Sequence, residues 1–130
     1  MTKETLLHRQ VHPTWIQNDI VSEQAFATSQ TFTPTPKDEG YLSMYNGDKF
    51  TAEQSYKHYT SNPSFVSAAV LSVTISEIDS VKDLDTTEDN YPFDGHTYID
   101  FSKLTSKGIL KKKSQKLRDI AMERGWTHKI

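Results

Sequence analysis

The run from Phe65 to Ile75 is the most apolar stretch of this 130-residue chain, and it constrains the fold more than any other feature. Within it Ala69, Leu71, Val73 and Ile75 recur at every second position, with Val70, Ser72 and Thr74 between them. A period of two sends alternate side chains to opposite faces of a strand, and a strand this apolar belongs in the middle of a sheet. The chain length suits one domain with one core. A hydrophobic content of 35%, with fourteen aromatic residues, is modest yet well above that of a disordered chain.

The remaining elements are read around that strand. Thr5 to Val11, with Leu6, Leu7 and Val11 around His8, Arg9 and Gln10, is a short β-compatible run ended by Pro13, which predicts a first strand. Ile20 to Phe26 is a weaker extended piece. The Ser/Thr/Pro-rich segment from Ala27 to Gly40 reads as a long surface loop, a length often associated with function. Tyr41 to Tyr45 predicts another strand, and Asn46-Gly47-Asp48 is a turn leading to a helix at Thr51. There Thr51 and Gln54 have capping-box spacing, Ala52, Tyr56 and Tyr59 share a face, and Asn62-Pro63 ends the element.

After the apolar strand, Ser76 and Asp79 predict a helix of about two turns reaching Leu84, followed by an acidic connection from Asp83 to Asp94. His96 to Phe101 alternates again, with Thr97, Ile99 and Phe101 assigned to the core. Ser106 to Arg124 is the clearest helix, with Leu110, Leu117, Ile120 and Ala121 forming its apolar stripe. Gly125 suits a left-handed cap, with Trp126 folding back on Ala121. The order of elements predicts an α+β domain over residues 1–130, a small mixed or mostly antiparallel sheet with helices on one face and a long C-terminal helix.

Charge is unevenly spread. The net charge of −2 conceals six basic and fifteen acidic side chains in residues 1–102, against nine basic and two acidic in residues 103–130. A basic end of this kind points to a nucleic-acid contact. Its intramolecular alternative is the stretch from Glu77 to Asp100, which has eight acids and one lysine. The absence of cysteine excludes disulfides, thiolate zinc sites and thiol nucleophiles, and suits a reducing compartment. Met1-Thr2-Lys3-Glu4 opens no secretory pattern, and no run approaches about eighteen apolar residues, so the expectation is a cytoplasmic protein with no membrane partner.

Four groups of residues carry potential chemistry. His8, Arg9 and His12 crowd the first strand, but strand positions four apart are ~13 Å from each other, too far for two imidazoles to share a metal ion. No His-Glu-x-x-His pattern occurs, and no cofactor is implied. His96, Tyr98 and Asp100 project from one strand face, placing an imidazole, a phenol and a carboxylate in a row suited to acid–base work or to a merely polar surface. Lys37 lies between Pro36 and Asp38 in a turn-rich segment without a phosphate-loop pattern. The last helix carries Lys107, Lys111, Lys112, Lys113, Lys116 and Arg118, able to neutralise phosphates or simply to keep the helix solvated.

The strings Leu7-His8-Arg9-Gln10-Val11-His12-Pro13, Gln24-Ala25-Phe26, Pro34-Thr35-Pro36-Lys37-Asp38-Glu39-Gly40 with Leu42-Ser43, Ile99-Asp100-Phe101-Ser102 and Arg124-Gly125-Trp126 together resemble a family of small uncharacterised bacterial proteins, often of mobile-element origin. That resemblance extends over nearly the whole chain and implies a bacterial cytoplasmic setting, without an activity, cofactor or catalytic residue. A more distant similarity is to ADP-ribosyltransferase-like and RNA 2′-phosphotransferase-like folds. It implies His8 or Arg9 on a ribose or phosphate, Tyr45 or Tyr59 stacked on a base, and Glu53 or Asp100 polarising a hydroxyl. The Ser-Thr-Ser and paired-glutamate motifs of that fold do not occur here.

The sequence reading favours a binding protein whose basic C-terminal helix and long loop contact nucleic acid or a protein partner. Its competitor is an enzyme acting on a nucleotide or nucleic-acid phosphate through His8, Arg9 and His96. Convergence separates the two: an enzyme brings those side chains into one pocket, and a binding module spreads them.

Overall fold

The computed structural model describes residues 1–16, 26–35 and 39–129. Six described strands form one antiparallel sheet: β1 Leu6–Val11, β2 Tyr41–Asn46, β3 Ala69–Thr74, β4 Asp85–Glu88, β5 His96–Asp100 and β6 His128–Lys129. Their order across the sheet is β4-β5-β2-β1-β3-β6. Three helices accompany them: α1 Ala52–Thr60, α2 Ile75–Asp79 and α3 Lys107–Arg124. The fold is α+β. Among the described residues no helix is long and apolar enough to cross a membrane.

Alternation divides the sheet into two faces as the sequence predicts. Leu7, Val11, Leu42, Met44, Leu71, Val73 and Ile99 form the main core with Phe32, Phe101, Leu117 and Ala121, so α3 covers this face. All six residues of β3 are buried, because the strand lies between β1 and β6 and is covered on both sides. The second cover is α1, whose buried Ser55 accepts a 2.9 Å hydrogen bond from Gln10, a residue pointing away from Leu7 and Val11. The helices therefore occupy both faces, where their order along the chain suggested one.

Local chemistry explains the element boundaries. The capping box at Thr51 forms as expected, with reciprocal bonds of 3.1 and 2.9 Å to Gln54. A second capping box pairs Thr74 with Glu77, starting α2 at Ile75 rather than Ser76. This helix ends at Asp79 instead of running on to Leu84, and Asp83 beyond it has a left-handed φ of 71° that no helix continues through. The acidic connection contains β4, an edge strand invisible to a search for apolar alternation because its sequence is Asp-Thr-Thr-Glu.

Two further expectations change. The segment from Ala27 is not only a surface loop: a 3-10 turn over Ser29–Phe32 buries Thr31 and Phe32, and Phe32 joins the core below α3. Gly125 follows α3 with φ 94° and ψ 176°, a conformation open to glycine but extended rather than left-handed helical. Trp126 is partly buried and packs against the core cluster to which Ala121 belongs. The extended piece expected over Ile20 to Phe26 lies outside the described residues except for Phe26, which has no regular structure.

The β1–β2 ladder is shorter than its neighbours. β1 pairs with β3 over six positions, but with β2 only at Leu7↔Asn46 and His8↔Tyr45. Past those pairs the two central strands part. Arg9 spans the gap, donating from NH1 to the Ser43 carbonyl at 2.9 Å and from Nε to the Thr31 carbonyl at 2.8 Å.

Candidate functional site

Where β1 and β2 part, the α1 face of the sheet is hollow. The cavity has a volume of about 420 Å³ and is floored by His8, Gln10, Ser43, Tyr45 and His96. One wall is the end of α1 with the residues after it, His58, Tyr59, Asn62 and Phe65, and the other is Pro92-Phe93 before β5. Its size and largely aromatic lining are those of a small-molecule site.

The rings form a connected cluster. Phe93 stacks on Tyr45 at 4.9 Å between centroids, meets His58 at 4.5 Å and reaches His96 edge-on at 5.4 Å. Phe50 meets Tyr45 edge-on at 4.9 Å from beneath, and across the cavity Tyr59 stacks on Phe65 at 4.9 Å. Such offset and edge contacts hold aromatic side chains in fixed orientations.

Three hydrogen-bonded imidazoles, His8, His58 and His96, line the cavity. Tyr45 Oη lies 2.8 Å from His58 Nδ1. Burial, reinforced by nearby Tyr59, pushes the Tyr45 phenol up, so it keeps its proton and can either donate to the imidazole nitrogen or accept from it. His96 is held from both sides, with Nδ1 2.6 Å from Asp89 Oδ1 and Nε2 3.2 Å from Ser43 Oγ. Asp89 and Ser43 lie on different elements, and β5 places the imidazole between them.

The sequence-derived residues meet different fates. His8, Arg9 and His96 all line this cavity, the arrangement expected of an enzyme rather than of the favoured binding module. His8, however, is only 3% exposed and both ring nitrogens are engaged, Nε2 with the Phe50 carbonyl at 3.0 Å and Nδ1 with Ser72 Oγ at 2.7 Å. Burial lowers its pKa, while the bond to the Phe50 carbonyl acts in the opposite sense. The carbonyl can only accept, so neutral His8 is protonated on Nε2 and takes the Ser72 hydroxyl proton on Nδ1. Arg9 is committed to backbone carbonyls.

Of the row on β5, His96 alone lines the cavity. Tyr98 pairs with the Tyr41 ring at 4.6 Å, and Asp100 accepts a 2.8 Å bond from the Ser102 amide in the following turn. Glu53 faces Lys57 at 3.5 Å on the outer side of α1. Lys37 lies outside the described residues.

On α3, Lys107, Lys111, Lys112 and Lys116 are exposed and Lys113 is half-buried. Arg118 instead bonds Asp119 at 2.8 Å and lies over the Phe26 ring at 4.6 Å. The acidic stretch meets the basic end in part, as the intramolecular alternative has it: Glu77 pairs with Arg124 and Asp85 with Lys103, while Asp79 pairs with Lys3 and Asp94 with Lys49.

Sequence reading missed Ser43, His58 and Asp89. Ser43 and His96 both occupy outward positions on strands, but only the register Tyr45↔His96 and Ser43↔Tyr98 makes them diagonal neighbours. Asp89 was visible as an acid seven residues before His96, with nothing in the string to say that the chain turns back on itself there. Comparison with protein-family models, curated proteins and solved structures finds no match to this chain.

Proposed function

We propose that the protein binds a small, uncharged molecule with a flat aromatic portion in the cavity on the α1 face. The observation that carries this reading is the ring cluster around Phe93, which ends at a polar corner formed by Ser43 and His96. A flat ligand slides between aromatic faces, and the corner orients its polar end. An anionic ligand fits less well, because the cavity's cationic lining residue, Arg9, is directed to two carbonyls and Asp89 brings a carboxylate behind His96. For the same reason the phosphate-handling alternative, although His8, Arg9 and His96 share the cavity, finds among the described residues no lysine or arginine directed into it.

The test is an NMR titration with neutral single- and double-ring aromatic amides and with a phosphorylated counterpart of each. Amide shifts should concentrate at residues 43–45, 58–65 and 92–96 for the neutral compounds and weaken in Phe93→Ala. Shifts scattered over the surface, or none at millimolar ligand, would remove the cavity from consideration.

A second reading rests on α3. Lys107, Lys111, Lys112, Lys113 and Lys116 make no ion pair among the described residues, on a helix that covers the face opposite the cavity. That surface suits a nucleic-acid backbone or an acidic protein partner. Nucleic-acid affinity would have to fall steeply with salt as counterions are released, and changing Lys111, Lys112 and Lys113 to glutamine would have to flatten the slope. Fluorescence anisotropy at two salt concentrations decides this; no binding tighter than about 100 µM at low salt, weaker than the ordinary non-specific range, refutes it.

A further inference from the structure

Ser43, His96 and Asp89 are connected in the order hydroxyl, imidazole, carboxylate. Asp89 Oδ1 accepts from His96 Nδ1 at 2.6 Å, and an ionised carboxylate can only accept, so the proton of the neutral imidazole resides on Nδ1. Nε2 is then a lone-pair acceptor, and the 3.2 Å contact with Ser43 Oγ is a bond that the hydroxyl donates. A base oriented by a third group and placed on a hydroxyl is the general arrangement of an activated nucleophile.

Two further observations place this hydroxyl at a ligand rather than in packing. Ser43 is exposed at the cavity floor, at the point where the β1–β2 ladder has stopped. Its backbone is nevertheless held, because Arg9 takes the Ser43 carbonyl at 2.9 Å where β1 no longer can. The imidazole is sheltered, with 13% of its side chain exposed, and the Phe93 ring stands edge-on against it. A nucleophile and its base thus meet the polar corner of an aromatic cavity.

We infer that Ser43 is an acyl acceptor and that the protein turns over carboxylic esters bearing an aromatic group, with His96 as general base and acid and Asp89 as the residue that positions it. The inference rests on the cavity's binding a flat neutral molecule. Ser43 Oγ adds to the ester carbonyl while His96 Nε2 takes the hydroxyl proton. The resulting tetrahedral adduct expels the alkoxide or phenoxide, which leaves as the alcohol or phenol with the proton from His96. Water then adds to the acyl-serine, giving a proton to His96. The C–O bond to Ser43 breaks, the acid departs, and His96 returns the proton to Ser43 Oγ. No metal, oxidant or further reactant enters.

The experiment uses the whole chain with 4-nitrophenyl acetate, following nitrophenolate release and mapping the acetyl group by peptide mass spectrometry. Acetylation at Ser43 is expected, absent in Ser43→Ala and slowed about 10²-fold or more in His96→Asn, the usual contribution of a positioned base. Asp89→Asn should slow acylation while leaving binding of the unreactive amide 4-nitroacetanilide unchanged by NMR, a split that a merely structural role would not produce.

Acetyl groups found only on lysines or the N-terminus, with release unaffected in Ser43→Ala, overturn the inference. If 4-nitroacetanilide still shifts residues 43–45 and 92–96 in that case, the cavity reading survives alone. If it shifts none of them, both fall.

Discussion

Tyr45 and His58 are joined by a 2.8 Å hydrogen bond that fastens the end of β2, on the cavity floor, to the last turn of α1 in the cavity wall. The bond couples the phenol to the Nδ1 edge of the imidazole. Tyr45→Phe removes the hydroxyl while retaining the ring contacts with Phe50 and Phe93. The expected loss is about 1 kcal/mol of stability, the net value of one such bond, measurable by urea denaturation. Long-range ¹⁵N spectra should show a shift in the tautomer balance of His58 on losing the hydroxyl that contacts its Nδ1.

His8 makes stability depend on pH in a definite direction. Its folded-state pKa lies below the ordinary imidazole value because burial disfavours the charged ring. The unfolded chain therefore binds this proton more readily than the folded one, and by linkage folding is favoured less as protons become available. The contribution is fully present above the unfolded imidazole pKa and is lost as pH falls through the folded one. Comparing urea midpoints at about pH 7.5 and about pH 5.5 should show a smaller drop for His8→Gln than for wild type, the range in which an imidazole charges. An equal drop in both would assign the pH dependence to other groups.

Leu117 is fully buried in the apolar stripe of α3, within the cluster that contains Leu71 and Val73. Truncation to alanine should cost about 2–5 kcal/mol, the transfer term plus the cavity left behind. A loss below about 0.5 kcal/mol in a denaturant melt, the level of an ordinary surface substitution, would mean that α3 does not seal the core.

Gly47 is required by space. A β-carbon there would sit 2.2 Å from the Leu6 carbonyl oxygen, the same oxygen that accepts the Gly47 amide at 2.7 Å. Backbone atoms of β1 cannot swing aside as a flexible side chain can. Gly47→Ala should cost about 1–3 kcal/mol, in the range of overpacked sites, and should broaden the NMR signals of Leu6 and Gly47. Gly108→Ala is the control, since its added carbon meets nothing nearer than 3.7 Å.

The sequence by itself determined those elements whose cause is local. Alternation in Ala69–Thr74 and His96–Asp100, the capping pair Thr51/Gln54 and the apolar stripe containing Leu117 and Ala121 each specify a conformation through neighbours within a few residues. Tertiary structure alone decided the rest. The short edge strand Asp85–Glu88 has no apolar face to announce it, and Phe32 is a core residue only because α3 returns over a polar segment. The site follows the same division. His96 was legible as an imidazole on an outward strand face, but its hydrogen-bond partners, Ser43 and Asp89, lie 53 and 7 residues before it and only folding brings them to its ring. His8 and Arg9 looked equally reactive in the string. Folding directed one to Ser72 and the Phe50 carbonyl and the other to two backbone carbonyls, because a buried polar group must be satisfied by whatever the fold brings within reach.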